Sequence, residues 1–206
     1  SNGKTHMIDI VFFDIGGVLL TISPEATIQQ LSQYTGLTPE IVRSAFPEDA
    51  HDAYEKGFIP DEGFYQAYLK NLPSHKGLTS SQFWNAWSQL IVGETETIDV
   101  LMSVSRTTKI WLLSNTNPMH IEKEIHVYQF PHQVDGTVYS FDVGLRKPDP
   151  AIYLKACAMA KTSPERSIFI DDLKENVDVA ISVGMNGIHF RNVIQLKKEL
   201  EPFGVL

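Results

Sequence analysis

Asp14 stands where an apolar run ends in a glycine loop. The residues before it, Ile8 to Phe13, are rich in β-branched and aromatic side chains, and the run is too short for a buried helix, so it predicts a core strand. Ile15, Gly16 and Gly17 follow, and glycines let a backbone approach a ligand closely. The pattern therefore predicts a carboxylate exposed at the tip of a strand.

Four further side chains with matching chemistry follow Asp14 along the chain. They are a hydroxyl and two carboxylates that end strand-like runs, and an ammonium before a proline: Ser114, Asp171, Asp172 and Lys147. Because the tips of parallel strands meet along one crevice, we expect these side chains to form a single site. A nucleophilic carboxylate, a hydroxyl, an ammonium and an acid pair are the groups that phosphoryl transfer through an aspartyl phosphate requires.

The segments that carry these residues resemble the four sequence motifs of the haloacid dehalogenase superfamily, in the same order. They are FFDIGGVLL around Asp14, LLSNT around Ser114, GLRKPDP around Lys147 and FIDDLKEN around the acid pair. The resemblance extends from about Ile8 to Phe190. One such motif alone is a weak signal, whereas four in order are a strong one.

The resemblance implies a hydrolase, in the first place a phosphatase of a small phosphorylated metabolite such as a sugar phosphate. Asp14 would be the nucleophile, and Lys147 would neutralise the carboxylates and the transferring phosphoryl group. Ser114 and Asn115 would bind phosphate together with Lys147, and the backbone N–H groups of Asn115 and Thr116 offer donors near a helix start. Asp14 and Lys147 are therefore the catalytic candidates.

The resemblance also implies a Mg²⁺ cofactor. Asp14, the carbonyl of Gly16 and Asp172 would contact the metal, and Asp171 would support them. Adjacent residues on a strand end point in opposite directions, so only one of the two neighbouring aspartates is expected to be a direct ligand. Asn176 lies in the first turn of the next helix, where it could brace the acid pair or cap the helix.

Gly16 departs from the family pattern. Most phosphatases of the resembling family carry a second aspartate there, two residues after the nucleophile, and such a general acid and base contributes about 10² to 10⁴ in rate. Three explanations stay open. A cap carboxylate such as Asp52, Glu55 or Asp61 replaces the aspartate, the substrate has a good leaving group, or the protein binds phosphorylated ligands without efficient turnover.

Two alternatives to the phosphatase follow from the same position. The dehalogenase branch of the family also lacks the second aspartate and works without a metal. The pair Asp171 and Asp172 beside Asp14 argues against that branch, because unneutralised carboxylates repel one another unless a cation joins them. The other alternative is a non-catalytic protein that binds a phosphorylated ligand, since a fold does not fix a function.

The pattern of elements predicts an α/β protein with a doubly wound parallel-sheet, Rossmann-like core. Strand-like runs alternate with helices from Glu96 onward, which indicates right-handed crossovers with helices on both faces. Between Thr21 and Thr95 only helix start and stop signals recur, including a helix over Ser81–Ile91. We predict a core of 7–20 and 96–206, and an inserted all-helical cap over 21–95, placed to cover the site as the cap of the resembling family does.

The composition narrows the class of partner. The 206 residues contain 17 Lys plus Arg against 25 Asp plus Glu, a net charge of −8, and no long basic run, so nucleic acid and anionic membranes are not expected partners. No apolar run approaches the roughly 18 residues of a membrane span.

A single cysteine, Cys157, fits a reducing compartment, and we expect a cytoplasmic location. His120, His126 and His132 are spaced by six, which predicts surface histidines and no metal cluster. Nothing in the sequence indicates the oligomeric state.

Overall fold

The computed structural model describes residues 7–206, and a parallel sheet lies at its centre. The strands are β1 (Ile10–Phe13), β2 (Leu20–Ile22), β3 (Ile91–Glu94), β4 (Lys109–Ser114), β5 (Gly136–Tyr139), β6 (Ser167–Asp171) and β7 (Asn186–His189). Five of them form the parallel sheet in the order β5-β4-β1-β6-β7. Because the chain adds strands first on one side of β1 and then on the other, the predicted doubly wound α/β core is confirmed.

Helices cover both faces of this sheet. Five helices alternate with the strands of the parallel sheet: α6 (Thr97–Ser105), α7 (Ser140–Val143), α8 (Pro150–Met159), α9 (Lys174–Ser182) and α10 (Val193–Leu200). Five earlier helices lie between β2 and β3: α1 (Pro24–Thr35), α2 (Pro39–Ser44), α3 (Glu48–Glu55), α4 (Asp61–Asn71) and α5 (Ser80–Ser88). All four side chains of β1 are buried: Val11 and Phe13 pack into one apolar layer, and Ile10 and Phe12 pack into the opposite one. This period of two places a core on each face of the sheet.

The first two helices after β2 have capping residues of ordinary types at their ends. The Ser23 hydroxyl accepts a hydrogen bond from the Ala26 N–H at 3.2 Å, and Pro24 is the first helical residue of α1. Gly36 ends α1 in the left-handed conformation with φ +72°. The Thr38 hydroxyl then caps α2. Local chemistry alone therefore sets these helix boundaries.

The predicted helix Ser81–Ile91 is wrong at its C-terminal end. The helix α5 ends at Ser88, and Ile91 begins β3, which pairs antiparallel with β2. The backbone of β2 supplies hydrogen-bond partners that a local pattern does not reveal, and the Ser23 N–H donates to the Leu90 carbonyl at 2.7 Å. A two-stranded sheet therefore connects α1–α5 to the parallel sheet. The division into a core and a cap over 21–95 stays a prediction.

The helices α3, α4 and α5 share an aromatic core of their own. Tyr54 stacks on Phe64 with ring centroids 4.8 Å apart, and Phe64 lies 4.9 Å from Trp87. These side chains are buried. Ring contacts of this kind add to the free energy gained from apolar burial. The helices α1–α5, called the helical segment below, therefore contain an aromatic core of their own.

A π-helical turn over His120–Ile125 follows the carboxyl end of β4. His120 is buried and stacks on Trp87 with ring centroids 5.0 Å apart, so the prediction of a surface histidine is wrong there. His126 and His132 are exposed, as predicted. Within residues 7–206, no helix combines the length and apolar character needed to cross a membrane.

Candidate active site

Three of the predicted site residues lie side by side at the carboxyl ends of strands. β1 runs between β4 and β6, and Phe13 is in register with both Leu112 and Ile170. Asp14 follows Phe13 directly, while Ser114 and Asp171 are the last residues of the two neighbouring strands. The sheet register therefore brings these side chains to one edge.

Lys147 reaches this edge from the loop before α8. Its side chain is 2% exposed, and its Nζ donates to Asp14 Oδ1 at 3.0 Å, to Asp171 Oδ2 at 2.7 Å and to the Leu113 carbonyl at 3.0 Å. An ammonium has three donors, so all three are in use. Lys147 therefore links the two carboxylates and holds Asp14 in a fixed position.

Asn115 fixes the backbone of Lys147. Its side-chain amide donates to the Lys147 carbonyl at 2.9 Å and accepts the Lys147 N–H at 2.8 Å. The Thr116 N–H, expected as a phosphate donor, instead donates to the Ser140 hydroxyl at 2.9 Å. The Ser114 hydroxyl has only a long contact of 3.4 Å to the Asn115 carbonyl, and both residues line the cavity described below.

The two neighbouring aspartates have different surroundings. Asp171 is fully buried, and besides Lys147 it accepts hydrogen bonds from the Leu173 N–H at 2.8 Å and from Asn176 Nδ2 at 3.1 Å. Asn176 therefore braces this carboxylate. Asp172 is half-buried and faces the cavity. Oxygen atoms of Asp14, Asp171 and Asp172 lie within 4.8 Å of one another, a donor set that suits a hard cation.

The carboxylates are electrostatically crowded. Burial is the largest cause that raises the pKa of Asp14 to about 8, and the charges of Asp171 and Asp172 raise it further, whereas Lys147 lowers it. Burial lowers the pKa of Lys147, but Asp14 and Asp171 outweigh burial, and the net pKa is raised. One ammonium therefore faces three carboxylates, and a bound cation would relieve the repulsion that remains.

Gly17 allows the carboxylate of Asp172 to approach the loop after β1. Gly17 has φ +84°, and a methyl group on it would lie 2.3 Å from Asp172 Oδ2. Gly16 also lines the cavity, and unlike Gly17 it does not have a left-handed φ. The contact of its carbonyl with a metal stays a prediction.

Replacing Gly17 by alanine is expected to destabilise the protein more than replacing Gly77. Both glycines have positive φ, +84° and +67°, so both variants carry a left-handed strain of about 1–2 kcal/mol. Only Gly17 also meets a neighbour, because nothing lies within 4 Å of a methyl group at Gly77. Urea denaturation should show an additional loss of about 1–3 kcal/mol for Gly17→Ala. Equal losses would mean that Asp172 does not need the close approach.

A cavity of about 640 Å³ lies over these residues. Asp14, Lys147 and Asp172 form its polar end. Apolar and aromatic side chains from the helical segment and β3 form much of the rest, and they include Ile28, Phe46, Tyr68, Trp87, Leu90 and Ile91. Pockets of this size hold small organic ligands, whose position the few polar groups fix.

A charged cluster connects α3 to the loop that carries Lys147. Arg146 donates to Glu55 Oε1 from Nε at 3.0 Å and approaches the same oxygen from Nη2 at 2.9 Å, and its Nη1 donates to Asp52 Oδ1 at 2.8 Å. The Glu55 side chain is 8% exposed and faces the cavity, whereas that of Asp52 is 43% exposed. Both acids were candidates from the sequence, and only Glu55 lies in the cavity wall.

A family model for haloacid dehalogenase-like hydrolases matches residues 8–184 of the chain. The chain belongs to this family. The resemblance inferred from the four motifs is therefore confirmed, and the haloacid dehalogenase-like hydrolase fold accounts for the five-stranded parallel sheet with its flanking helices.

Two relatives of this haloacid dehalogenase-like hydrolase carry phosphatase names, and a structural neighbour was solved with phosphate. A sesquiterpene phosphatase of Aspergillus oryzae is 30% identical over 196 residues, which cover 91% of this chain and 92% of the relative. A D-ribitol-5-phosphate phosphatase of Bacteroides thetaiotaomicron is 23% identical over 208 residues, covering 94% and 97%. A haloacid dehalogenase family enzyme of the same bacterium, solved with magnesium and inorganic phosphate, is 24% identical with a TM-score of 0.79, covering 89% and 94%. This last likeness shows the shared fold.

The sequence does not place the charged or titratable side chains of Arg146, His51 and His120 in the cavity wall. The contact of Arg146 with α3 depends on how that helix packs against the loop. His51 and His120 carry no local signal, since α3 was not predicted and the π-helical turn was not visible. Burial lowers the pKa of His51 to about 4, so this imidazole is neutral near pH 7.

Proposed function

We propose that this chain is a Mg²⁺-dependent phosphatase that hydrolyses a small phosphorylated metabolite through a phospho-Asp14 intermediate. The observation that carries the proposal is the position of the Asp14 carboxylate. It is buried, held by Lys147 and placed beside Asp171 and Asp172 at the polar end of a large cavity. A carboxylate of this kind forms a covalent phosphoryl intermediate that splits a difficult displacement into two easier steps.

Each side chain has a defined task in this proposal. Asp14 attacks phosphorus, and Lys147 offsets the charge that develops on the phosphoryl oxygens. The Ser114 hydroxyl and the backbone of Asn115 bind phosphate oxygens from the neighbouring strand end. Asp14, the Gly16 carbonyl and Asp172 would hold Mg²⁺ with support from Asp171, and the cation would supply positive charge against the crowded carboxylates.

The residues that line the cavity indicate which class of phosphate ester it would bind. A sugar phosphate, the class we predict from the sequence, would need hydrogen-bond partners for its hydroxyl groups, and the named D-ribitol-5-phosphate phosphatase supports that class. The apolar walls around Ile28, Phe46 and Leu90 favour a phosphate ester with an apolar organic group, and the sesquiterpene phosphatase supports this class. We place the apolar class first.

Mg²⁺ is expected to stabilise the wild type and not the Asp172→Ala variant. At about 100 times its Kd, a ligand adds about 2.7 kcal/mol, which corresponds to roughly 5–10 °C in Tm for a chain of this size. Thermal unfolding with and without MgCl₂ measures the shift. The control is Asp178→Ala, which removes an exposed carboxylate of α9 and should keep the full shift. Equal shifts in all three proteins would place the cation elsewhere.

A panel of phosphate monoesters separates the proposed activity from its alternatives. Release of inorganic phosphate is measured with and without Mg²⁺ for isoprenoid phosphates, sugar phosphates and an aryl phosphate, and halide release is measured from a 2-haloacid. Mg²⁺-dependent phosphate release supports the proposal. Halide release without metal would favour a dehalogenase, and vanadate binding without turnover of any ester would favour a non-catalytic binding protein.

A further inference from the structure

The leaving oxygen of the substrate has no proton donor on the loop after β1. Gly16 occupies the position, two residues after Asp14, at which the resemblance implies an aspartate in most phosphatases of the family. An alkoxide leaves poorly unless it is protonated, and a positioned acid contributes about 10² to 10⁴ in rate. A donor for this reaction has to come from another element that lines the cavity.

The donor has to face the cavity from the side of the helical segment. Lys147 and Asp171 are buried and bonded to each other beside Asp14, and Lys147 lies at the polar end of the cavity. A phosphoryl group that reaches Asp14 therefore leaves its organic group pointing toward the apolar walls. The leaving oxygen joins these two parts, and Glu55 of α3 and Arg146 are among the residues that line this cavity.

Most acids of the helical segment do not meet this requirement. Asp61 accepts a hydrogen bond from the Tyr54 hydroxyl and does not line the cavity. Asp52 is bonded by Lys56 and Arg146, which lower the pKa of its carboxyl, so it remains ionised. Glu48 lines the cavity but is exposed to solvent, whereas Glu55 is buried.

Glu55 meets it. Arg146 binds Oε1 through two nitrogen atoms, which leaves Oε2 as the oxygen that can carry a proton; Oε2 lies 3.5 Å from His51 Nε2. Burial raises the pKa of the Glu55 carboxyl, although the charges of Arg146, His120 and Lys147 lower it. Glu55 and Asp14 line the same cavity. The charged or titratable groups around Glu55 are Arg146 and Lys147 from the loop, His51 and Asp52 from α3, and His120 from the π-helical turn.

On the basis of the proposed phosphatase function, we propose that Glu55 is the general acid and base of this site and replaces the aspartate missing at position 16. When Asp14 attacks phosphorus, the bond from phosphorus to the leaving oxygen breaks and Glu55 Oε2 gives its proton to that oxygen, which leaves as an alcohol. Glu55 then takes a proton from water as the water oxygen attacks phospho-Asp14. The bond from Asp14 to phosphorus breaks, which yields inorganic phosphate, a free Asp14 carboxylate and a protonated Glu55.

The dependence on the leaving group tests this role. Single-turnover release of hexanol from hexyl phosphate should fall by about 10²-fold or more in Glu55→Gln, because the alkoxide needs the proton. Release of p-nitrophenol from p-nitrophenyl phosphate should change by less than about fivefold, because this phenolate scarcely needs protonation. The phosphoenzyme should accumulate with p-nitrophenyl phosphate, since its formation is little affected while the base of the second step is lost.

Two further variants separate catalysis from packing. Asp52→Asn removes the other carboxylate that Arg146 binds, and it should leave both rates within about twofold of the wild type. The double variant Gly16→Asp/Glu55→Gln should release hexanol at least about tenfold faster than Glu55→Gln alone. The backbone allows this change, because Gly16 does not have a left-handed φ and a Cβ there lies 3.3 Å from Ile22 Cγ2, a contact that a small shift of Ile22 relieves.

The possible results also distinguish this proposal from the proposed function. Equal losses with both esters, or no loss with either, in a wild type that turns both over would overturn the role of Glu55 and leave the phosphatase intact. If the wild type releases neither hexanol nor p-nitrophenol with Mg²⁺ present, both the role of Glu55 and the phosphatase function are overturned. A loss confined to hexyl phosphate, with rescue by Gly16→Asp, supports both.

Discussion

Replacing Asp14 by asparagine is expected to lower phosphate release by at least about 10³-fold, because the amide cannot form the aspartyl phosphate. The fold should persist. Burial and the neighbouring aspartates already oppose the charge of Asp14, as the pKa of about 8 indicates, so a neutral isostere removes repulsion. Steady-state phosphate release measures the activity, and thermal unfolding measures the stability.

The control for this variant is Asp135→Asn. The Asp135 carboxylate accepts the Ile110 N–H at 2.9 Å near the opposite end of β4, so this variant makes the same chemical change away from the cavity. It should retain phosphate release. Acid quenching with radiolabelled substrate should leave covalent label on the wild type and on Asp135→Asn, and none on Asp14→Asn. Retained turnover in Asp14→Asn would rule out covalent catalysis by this residue.

The grouping of the acids could be predicted because it depends on strand ends. Asp14, Ser114 and Asp171 each follow a short apolar run, and in a doubly wound sheet such ends meet at one edge. The alternation of β1 side chains between two apolar layers is equally local in origin. Sequence periodicity therefore carries enough information to place these three residues.

The walls of the cavity could not be predicted in the same way. Whether Glu55 or Asp52 lies in the cavity depends on how α3 sits against the Arg146 loop, and the two residues differ by less than one helical turn. The end of α5 at Ser88 depends on the pairing of β3 with β2, which is distant in sequence. These features arise from tertiary contacts, to which local propensity is blind.

The buried ion pairs of Lys147 lead to the largest expected effect on stability. Lys147→Met keeps most of the side-chain volume but leaves Asp14 and Asp171 without their ammonium. Breaking a buried ion pair from one side typically costs about 3–5 kcal/mol, because an uncompensated charge stays in the interior. Urea denaturation in the presence of a chelator, so that no divalent cation compensates, should show a loss in this range.

The matched control is Lys174→Met. Lys174 Nζ lies 2.7 Å from Asp178 Oδ2, the same distance as Lys147 Nζ from Asp171 Oδ2, but the Lys174 side chain is 72% exposed whereas that of Lys147 is 2% exposed. An exposed pair contributes at most about 1 kcal/mol, so the two variants compare a buried with an exposed ammonium at equal Nζ–Oδ2 distance. Adding Asp14→Asn to Lys147→Met should recover part of the loss, because a carboxyl group that burial forces to take up a proton on folding costs stability that an amide does not cost. Similar losses in the two single variants, or no recovery in the double variant, would show that the ammonium does not balance the charge of the nucleophile.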